Sequence, residues 1–147
     1  MKREPELAIR LASSDAEIAA CFPVMHQLRP HLAAGEFLAR VRAQEAGGYR
    51  LAYVEAGGRP VAVAGFRTLE NLVSGRILYV DDLVTLDTER SQGHGARLLG
   101  WLVERARAEG CRRLELDSGV QRKDAHRFYQ REGLALTAHH FEIGLDE

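Results

Sequence analysis

Lysine is nearly absent from this chain. It occurs only at Lys2 and Lys123, and arginine supplies the rest of the 20 basic residues. Against 21 acidic residues the formal net charge is −1, so the basic excess that nonspecific nucleic-acid binding requires is missing. Cysteine is scarce as well. Cys21 and Cys111 lie far apart, show no metal-ligand spacing, and are expected as buried free thiols. No apolar run approaches a membrane span, and the opening MKREPELAIRLA lacks the apolar stretch of a secretory leader. The expectation from these absences is a cytoplasmic protein with no metal, no membrane and no nucleic-acid partner. Repeats, linkers and low-complexity segments are also missing. What is there is a 147-residue chain, 46% apolar and 28% charged, expected as a single domain over residues 1–147 with a core of its own.

The most informative stretch is YVDDLVTLDTERSQGHGARLLGW, from Tyr79 to Trp101. Arg76 to Leu86 alternates and then runs apolar, as a buried strand does. A polar turn follows from Asp87 to Gln92, then Gly93-His94-Gly95, and a helix opens behind them. A strand feeding a glycine-containing turn into a helix is an anion-binding arrangement. The first-turn N–H groups lack intrahelical partners, and the helix dipole is positive there. Arg90 adds a cation on the same turn. The spacing excludes two common anion sites. A Walker loop needs a lysine and a Ser or Thr after the last glycine, and neither follows Gly95. A dinucleotide fingerprint needs a third glycine where this chain has Leu98.

The remaining elements follow from periodicity. Leu7 to Leu11 alternates as a short strand. Ser13-Ser14-Asp15 reads as a helix cap with Glu17 in the first turn, and Ile18, Cys21, Phe22, Met25 and Leu28 follow at helical spacing. Pro23 lies inside that run and is expected to break or kink it. A second helix spans Ala33 to Ala46. Tyr49 to Glu55 and Pro60 to Leu69 are strands joined by a hairpin at Ala56-Gly57-Gly58-Arg59, and Arg76 to Leu86 completes an antiparallel meander. The helix from Gly93 to Glu109 ends at Gly110. Leu114 to Ser118 is a strand parallel to the one before that helix. Arg122 to Glu132 is the last helix, ended by Gly133, and Leu134 to Leu145 alternates as a closing strand.

The pattern Arg90-x-x-Gly93-x-Gly95-Ala96, set between a strand and a helix, resembles the GNAT family of N-acetyltransferases. Their signature here is Arg or Gln, two residues, Gly, one residue, then Gly or Ala. Ala125-His126-Arg127-Phe128-Tyr129-Gln130-Arg131-Glu132-Gly133 resembles a second motif of that family, and the element order is also theirs. The resemblance covers nearly the whole chain and is best from Tyr79 to Gly133. It implies an α/β (α+β) GNAT fold: a mixed, twisted sheet of six to seven strands with helices on both faces, in the order β-α-α-β-β-β-α-β-α-β. It implies acetyl-CoA as cosubstrate and direct transfer of the acetyl group to a primary amine. A homodimer is expected because the family often forms one. Asp117-Ser118, the run from Arg122 to Gly133 and His139-His140-Phe141 resemble aminoalkylphosphonate N-acetyltransferases, which implies a small-molecule amine acceptor.

Acetyl transfer must hold the thioester, free the amine of a proton and return a proton to the departing sulfur. The resemblance assigns these tasks. Backbone groups of Leu83, Val84 and Thr85 are expected to pair with pantetheine. The turn of Arg90, Ser91, Gln92, Gly93, His94, Gly95 and Ala96 is expected to hold the pyrophosphate. Arg122 stands where many relatives carry an asparagine that touches the cofactor. The chain departs from the family pattern at Thr85, Asp87, Ser91 and His94, and none of these changes removes a backbone donor. Tyr129 is the expected acid toward the sulfur, its alternative being a plain core tyrosine beside Phe128. Asp82 or Asp117 is the expected base, acting through a water because a carboxylate is a weak base for an alkylammonium. Asp81 and Asp82 are expected on opposite strand faces. His94 is expected as a solvent-facing helix start. His26 and His31 read as solvated or capping histidines; the resemblance, which sets the first two helices and their loop over the acceptor site, offers contact with the acceptor as the alternative, for them and for one of His139 and His140. No cysteine lies in the motif region, which disfavours an acyl-enzyme. The competing class is a non-catalytic acyl-CoA-binding module on the same fold.

Overall fold

Alternating apolar residues become strands only where a neighbour completes their hydrogen-bond ladder, and the first part of the chain supplies such neighbours in order. The computed structural model describes residues 8–146, in two compact units that divide after Leu116. In the first unit β1 (Ala8–Leu11), β2 (Arg50–Ala56), β3 (Arg59–Asn71), β4 (Gly75–Thr85) and β5 (Arg113–Leu116) form one five-stranded sheet in the order β1-β2-β3-β4-β5. The β1–β2, β2–β3 and β3–β4 pairs are antiparallel. The β4–β5 pair is parallel, as a helical crossover requires. Leu7, expected at the head of the first strand, lies outside the described residues.

Helices cover both sheet faces. α1 (Asp15–Ala20) starts at Ser14, which forms a capping box with Glu17. α2 (Phe22–Leu28) is a separate helix. Pro23 sits in its first turn, where a missing N–H costs nothing, so the proline starts a helix rather than kinking one. α3 is Ala34–Glu45. Ile18, Val24, Met25, Phe37 and Val41 from these helices pack with Leu51, Tyr53 and Val63 of the sheet. Residues of the other parity on β2 and β3 point to the opposite face. There α4 (His94–Ala108) buries Leu98, Leu99 and Leu102, and its Trp101 meets the Phe66 ring edge-on at 6.0 Å. The mixed sheet, the helices on both faces and the order of elements through α5 (Lys123–Arg131) are those implied by the resemblance, with the first expected helix divided into α1 and α2.

Two features differ from the sequence reading. Gly65 pairs with Asp82 but Phe66 pairs with Val80, so Asp81 is an extra residue on β4, a bulge. The bulge breaks the two-residue alternation, so Asp81 and Asp82 join the same side-chain cluster rather than opposite faces. In the second unit, α5 is followed from residue 132 to 146 by chain without a helix or strand. Leu134 to Leu145 keeps its alternation but has no ladder partner among the described residues, and Leu136, Phe141, Ile143 and Leu145 are exposed. The sheet therefore has five strands among the described residues, not six or seven.

Candidate active site

The pairing of β4 with β5 runs from Ile77 and Arg113 to Val80 and Leu116 and stops there. β4 continues to Thr85 along β3 alone, so beyond Val80 its other edge has no strand partner among the described residues. Leu86 donates its N–H to Val61 O. By the alternation of an antiparallel ladder, Val84 then also faces β3, while Leu83 and Thr85 turn their amides to the open edge. The Thr85 carbonyl accepts from Gln27 Nε2 at 3.1 Å, and the same side chain accepts from the Asp87 N–H at 2.9 Å. Gln27 thus ties α2 to the end of β4.

A short 3-10 turn, Asp87–Glu89, leads into the glycine motif. Ser91 has φ 69° and Gly93 φ 80°, both left-handed. For Ser91 this is a mild backbone cost at a place where the family usually carries glycine. Gly93 is the N-cap of α4 and no side chain caps the helix. The first intrahelical bond runs from Arg97 N–H to Gly93 O. The N–H groups of His94, Gly95 and Ala96 therefore have no intrahelical acceptor at the positive end of the helix. A Cβ on Gly93 would meet nothing within 4 Å, so the turn is unobstructed at this glycine. A diphosphate fits this arrangement. Arg90 is mostly exposed and pairs with Asp87 at 2.8 Å.

His94 is not solvent-facing as expected; it is 4% exposed. His94, Leu98 and Leu102 follow one another at helical spacing, so the first helical residue belongs to the buried stripe of α4. Its Nε2 lies 3.6 Å from Glu89 Oε2, and neither ring nitrogen has a hydrogen-bond partner.

The carboxylate cluster forms at the bulge. Asp82 Oδ2 accepts from the Tyr49 hydroxyl at 2.8 Å, and Oδ1 accepts from Arg29 Nε at 2.9 Å. Arg29 also donates to the Asp81 carbonyl at 3.0 Å. The Asp81 carboxylate pairs with Arg67 at 2.7 Å, and the Arg67 guanidinium lies over the Tyr49 ring, 5.4 Å from its centroid. Burial, reinforced by the Asp82 charge, pushes the Tyr49 phenol far up, so it stays a donor at any working pH. Tyr49 and Asp82 form part of the wall of a cavity of about 150 Å³ between α2, α3 and the sheet. His31 also lines it, whereas the His26 ring lies tilted against Phe22, 5.0 Å between centroids.

The second unit holds the remaining expected residues. Tyr129 is buried on α5 and meets Phe128 edge-on at 5.5 Å. Burial pushes its phenol up, while the charge and hydrogen bond of Arg122 pull it down. Arg122, expected at the cofactor, is thus engaged by Tyr129 inside its own unit. Asp117 Oδ2 lies 3.6 Å from His140 Nδ1, and His126 Nε2 is 2.7 Å from the Gly119 carbonyl. Cys21 is buried, with its thiol raised to about 12 chiefly by desolvation, and is a poor nucleophile. Cys111 is only half-buried. Among the described residues no three His, Cys, Asp or Glu side chains converge as a metal site, and no helix is long and apolar enough to cross a membrane.

Sequence reasoning missed Tyr49, Arg29, Arg67 and Gln27. One signal was present. Gly65 interrupts an apolar strand, and a glycine inside a strand marks a close approach. Here the approaching group is Tyr49, whose hydroxyl would lie 1.9 Å from a Cβ at residue 65.

The sequence profile described as the acetyltransferase (GNAT) family matches residues 15–134. YhdJ of Bacillus subtilis (strain 168), described as an uncharacterized N-acetyltransferase, is 36% identical over 118 residues, 80% of this chain and 83% of its own length. The aminoalkylphosphonate N-acetyltransferase of Salmonella typhimurium is 46% identical over 66 residues, 45% of this chain and 43% of its own. In fold, an aminoglycoside N-acetyltransferase solved in complex with CoA superimposes with a TM-score of 0.87 at 17% identity, over 99% of this chain and 98% of that one. An uncapped glycine turn beside a parallel strand pair whose ladder stops at Val80 and Leu116 agrees with these matches, and their extent decides the matter: the chain belongs to the acetyltransferase (GNAT) family.

Proposed function

We propose that the protein transfers an acetyl group directly from acetyl-CoA to the primary amine of a small molecule. The observation that carries this reading is the uncapped start of α4, with Ser91 and Gly93 in left-handed conformation, next to the open edge of β4. The N–H groups of residues 94–96 and the Arg90 cation hold the diphosphate, with Ser91, Gln92 and Gly93 shaping the turn. The outward amides of Leu83 and Thr85 hold the pantetheine arm as an added strand, and the Leu83 N–H polarises the thioester carbonyl. Val84 anchors this edge to β3.

In the reaction the amine nitrogen bonds to the acetyl carbon and the carbon–sulfur bond breaks. An ammonium acceptor loses two protons, of which one ends on sulfur and one reaches bulk water. Asp82 receives the acceptor's ammonium and passes a proton to water; Asp117 is the alternative for that step. Tyr129 is the acid toward the sulfur, since its buried phenol stays protonated at neutral pH. A free-standing cysteine route is unsupported, because Cys21 is buried with its thiol near 12. The match to an aminoalkylphosphonate N-acetyltransferase supports a small amine as acceptor.

Calorimetry tests the cofactor. Wild-type protein is expected to bind acetyl-CoA in the micromolar range, and a Gly93→Glu, Gly95→Glu double variant to lose that binding through bulk and like charge. No binding by the folded wild type would sink the acetyltransferase reading.

A further inference from the structure

The C-terminal turn of α2 is tied to β4 on both sides of Leu83. Arg29 donates to the Asp81 carbonyl at 3.0 Å and to the Asp82 carboxylate at 2.9 Å. Gln27, in the last turn of α2, takes the far side. Its Nε2 donates to the Thr85 carbonyl at 3.1 Å, and its Oε1 accepts from the Asp87 N–H at 2.9 Å. The Asp87 carboxylate, 3.4 Å from Nε2, is a second acceptor for the same nitrogen. This side chain needs a donor and an acceptor at once, which a glutamate would not supply.

A carboxamide carries the N–H and C=O of a peptide group. In a parallel ladder one residue donates to the carbonyl before its opposite number and accepts from the N–H after it. Gln27 makes that pair of bonds about Leu86, whose own N–H goes to Val61 on β3. It therefore acts as one residue of a strand on the edge that β5 leaves at Val80. Of the outward groups from Leu83 to Asp87, it leaves the Leu83 N–H and C=O and the Thr85 N–H. Without it the Thr85 carbonyl and the Asp87 N–H would join them. An extended arm could then also pair two residues further on, ~7 Å along the strand. A two-residue slip keeps the same strand face, so the pleat alone does not forbid it.

We propose that Gln27 is a positioning residue for the cofactor: its carboxamide closes the edge of β4 at Thr85 and Asp87, so that the pantetheine arm pairs at Leu83 and Thr85 in one register. That register sets the thioester carbonyl at the Leu83 N–H. Gln27 acts through the β4 backbone and touches no reacting atom. It also holds residues 85–87 in order before the cofactor arrives, which lowers the ordering cost of binding. This inference rests on the acetyl-transfer reading of the same site.

The test uses two probes on the full chain. One is acetyl-CoA, and the other is adenosine 3′-phosphate 5′-diphosphate, the nucleotide of CoA without its arm. Gln27→Met keeps stem length and helix propensity at an exposed position while removing both bonds. Calorimetry should show acetyl-CoA weakened about tenfold, the scale of one or two ordinary hydrogen bonds, and the armless nucleotide held within about twofold. Amide hydrogen exchange by NMR reads the register. In the wild type the Asp87 amide should exchange slowly with or without cofactor, and acetyl-CoA should slow Leu83 and Thr85. In the variant the Asp87 amide should exchange freely until acetyl-CoA slows it, with Leu83 less protected than in the wild type. If the variant binds acetyl-CoA as the wild type does and protects the same amides, the proposal fails and acetyl transfer stands. Equal weakening of both probes also overturns it, because the loss then lies in the diphosphate turn. A fast-exchanging Asp87 amide in the wild type overturns it without any variant. If folded wild type binds no acetyl-CoA, both readings fall.

Discussion

The Tyr49 hydroxyl donates to Asp82 Oδ2 at 2.8 Å across Gly65, the residue that faces Asp82 in the β3–β4 ladder. The phenol lies where the side chain of residue 65 would be. An absent side chain on β3, a bulge on β4 and a tyrosine entering from the start of β2 therefore depend on one another. Together they hold a carboxylate, its side chain 13% exposed, at the wall of a cavity.

Gly65→Ala is expected to destabilise the fold by roughly 1–3 kcal/mol, because the new methyl group overlaps the Tyr49 ring and the strands cannot part to admit it. Tyr49→Phe relieves the crowding but removes a donor from Asp82, and should cost roughly 1.5–3 kcal/mol as a lost hydrogen bond to a charged group. Urea melts of both variants check this. In the Tyr49→Phe variant amine turnover should fall while acetyl-CoA affinity holds, since the amides of residues 94–96 are untouched. A wild-type melt for Gly65→Ala would contradict the packing described.

Much of this arrangement was legible in the sequence, and the part that was not has a specific cause. Glycines, caps and apolar periods are local signals, so the meander, the glycine turn and α4 could be read directly. Ser14 as the cap of α1 and Pro23 as a point of change were visible for the same reason. The bulge at Asp81 was not, because it is a mismatch between two strands and shows in neither alone. Arg29 and Tyr49 were invisible as partners of Asp82 because they lie 53 and 33 positions away in the chain. His94 was misread even though Leu98 and Leu102 continue its stripe. A polar residue at a helix start suggested solvent, and the period should have outweighed it. Leu134 to Leu145 shows the converse: alternation marks a face, while a strand also needs a partner backbone.

His94 is buried with neither ring nitrogen in a hydrogen bond, Glu89 lying 3.6 Å from Nε2, so an apolar residue of similar size should serve the fold better. His94→Leu is expected to stabilise the protein by roughly 1 kcal/mol, as the desolvation cost of an unsatisfied polar group disappears. The backbone N–H of residue 94 is unchanged, so acetyl-CoA affinity should persist. Thermal melts with and without acetyl-CoA measure both effects. Loss of binding in this variant would show that the imidazole itself takes part in holding the cofactor.

Glu109 links stability to acid. It closes the C-terminal end of α4, where the helix dipole disfavours a negative charge. Arg50, Arg105 and Thr68 all donate to its carboxylate at 2.9–3.1 Å. The Arg50 hydrogen bonds lead in holding its pKa down to about 2, from an ordinary value of 4.5. A carboxylate lowered in the folded state gives full stability above the unfolded value, and that contribution fades as pH falls from about 4.5 toward 2. Because the network is partly solvated, Glu109→Gln should cost only about 1–2 kcal/mol at neutral pH. The gap between variant and wild type should narrow across that acid window. Urea melts at a series of pH values would show it, and a gap independent of pH would exclude the charge as its origin.

Tyr129 separates an enzyme from a binding module of the same fold. Its phenol is buried, and burial raises it above the ordinary value of 10 against the opposing pull of Arg122. A raised phenol remains protonated through neutral pH and beyond, which is the loaded state of an acid that must deliver a proton to a thiolate. Turnover should therefore show no loss from this group until pH passes about 10. Tyr129→Phe keeps the ring and its edge-on contact with Phe128 while removing the proton. It should lower kcat by about 10²–10⁴-fold, the usual range for one general acid. Acetyl-CoA affinity by calorimetry should stay within about threefold of wild type, because the proposed phosphate contacts come from the turn before α4 and not from α5. Equal turnover in the variant would return Tyr129 to the role of a core residue and move the proton source elsewhere.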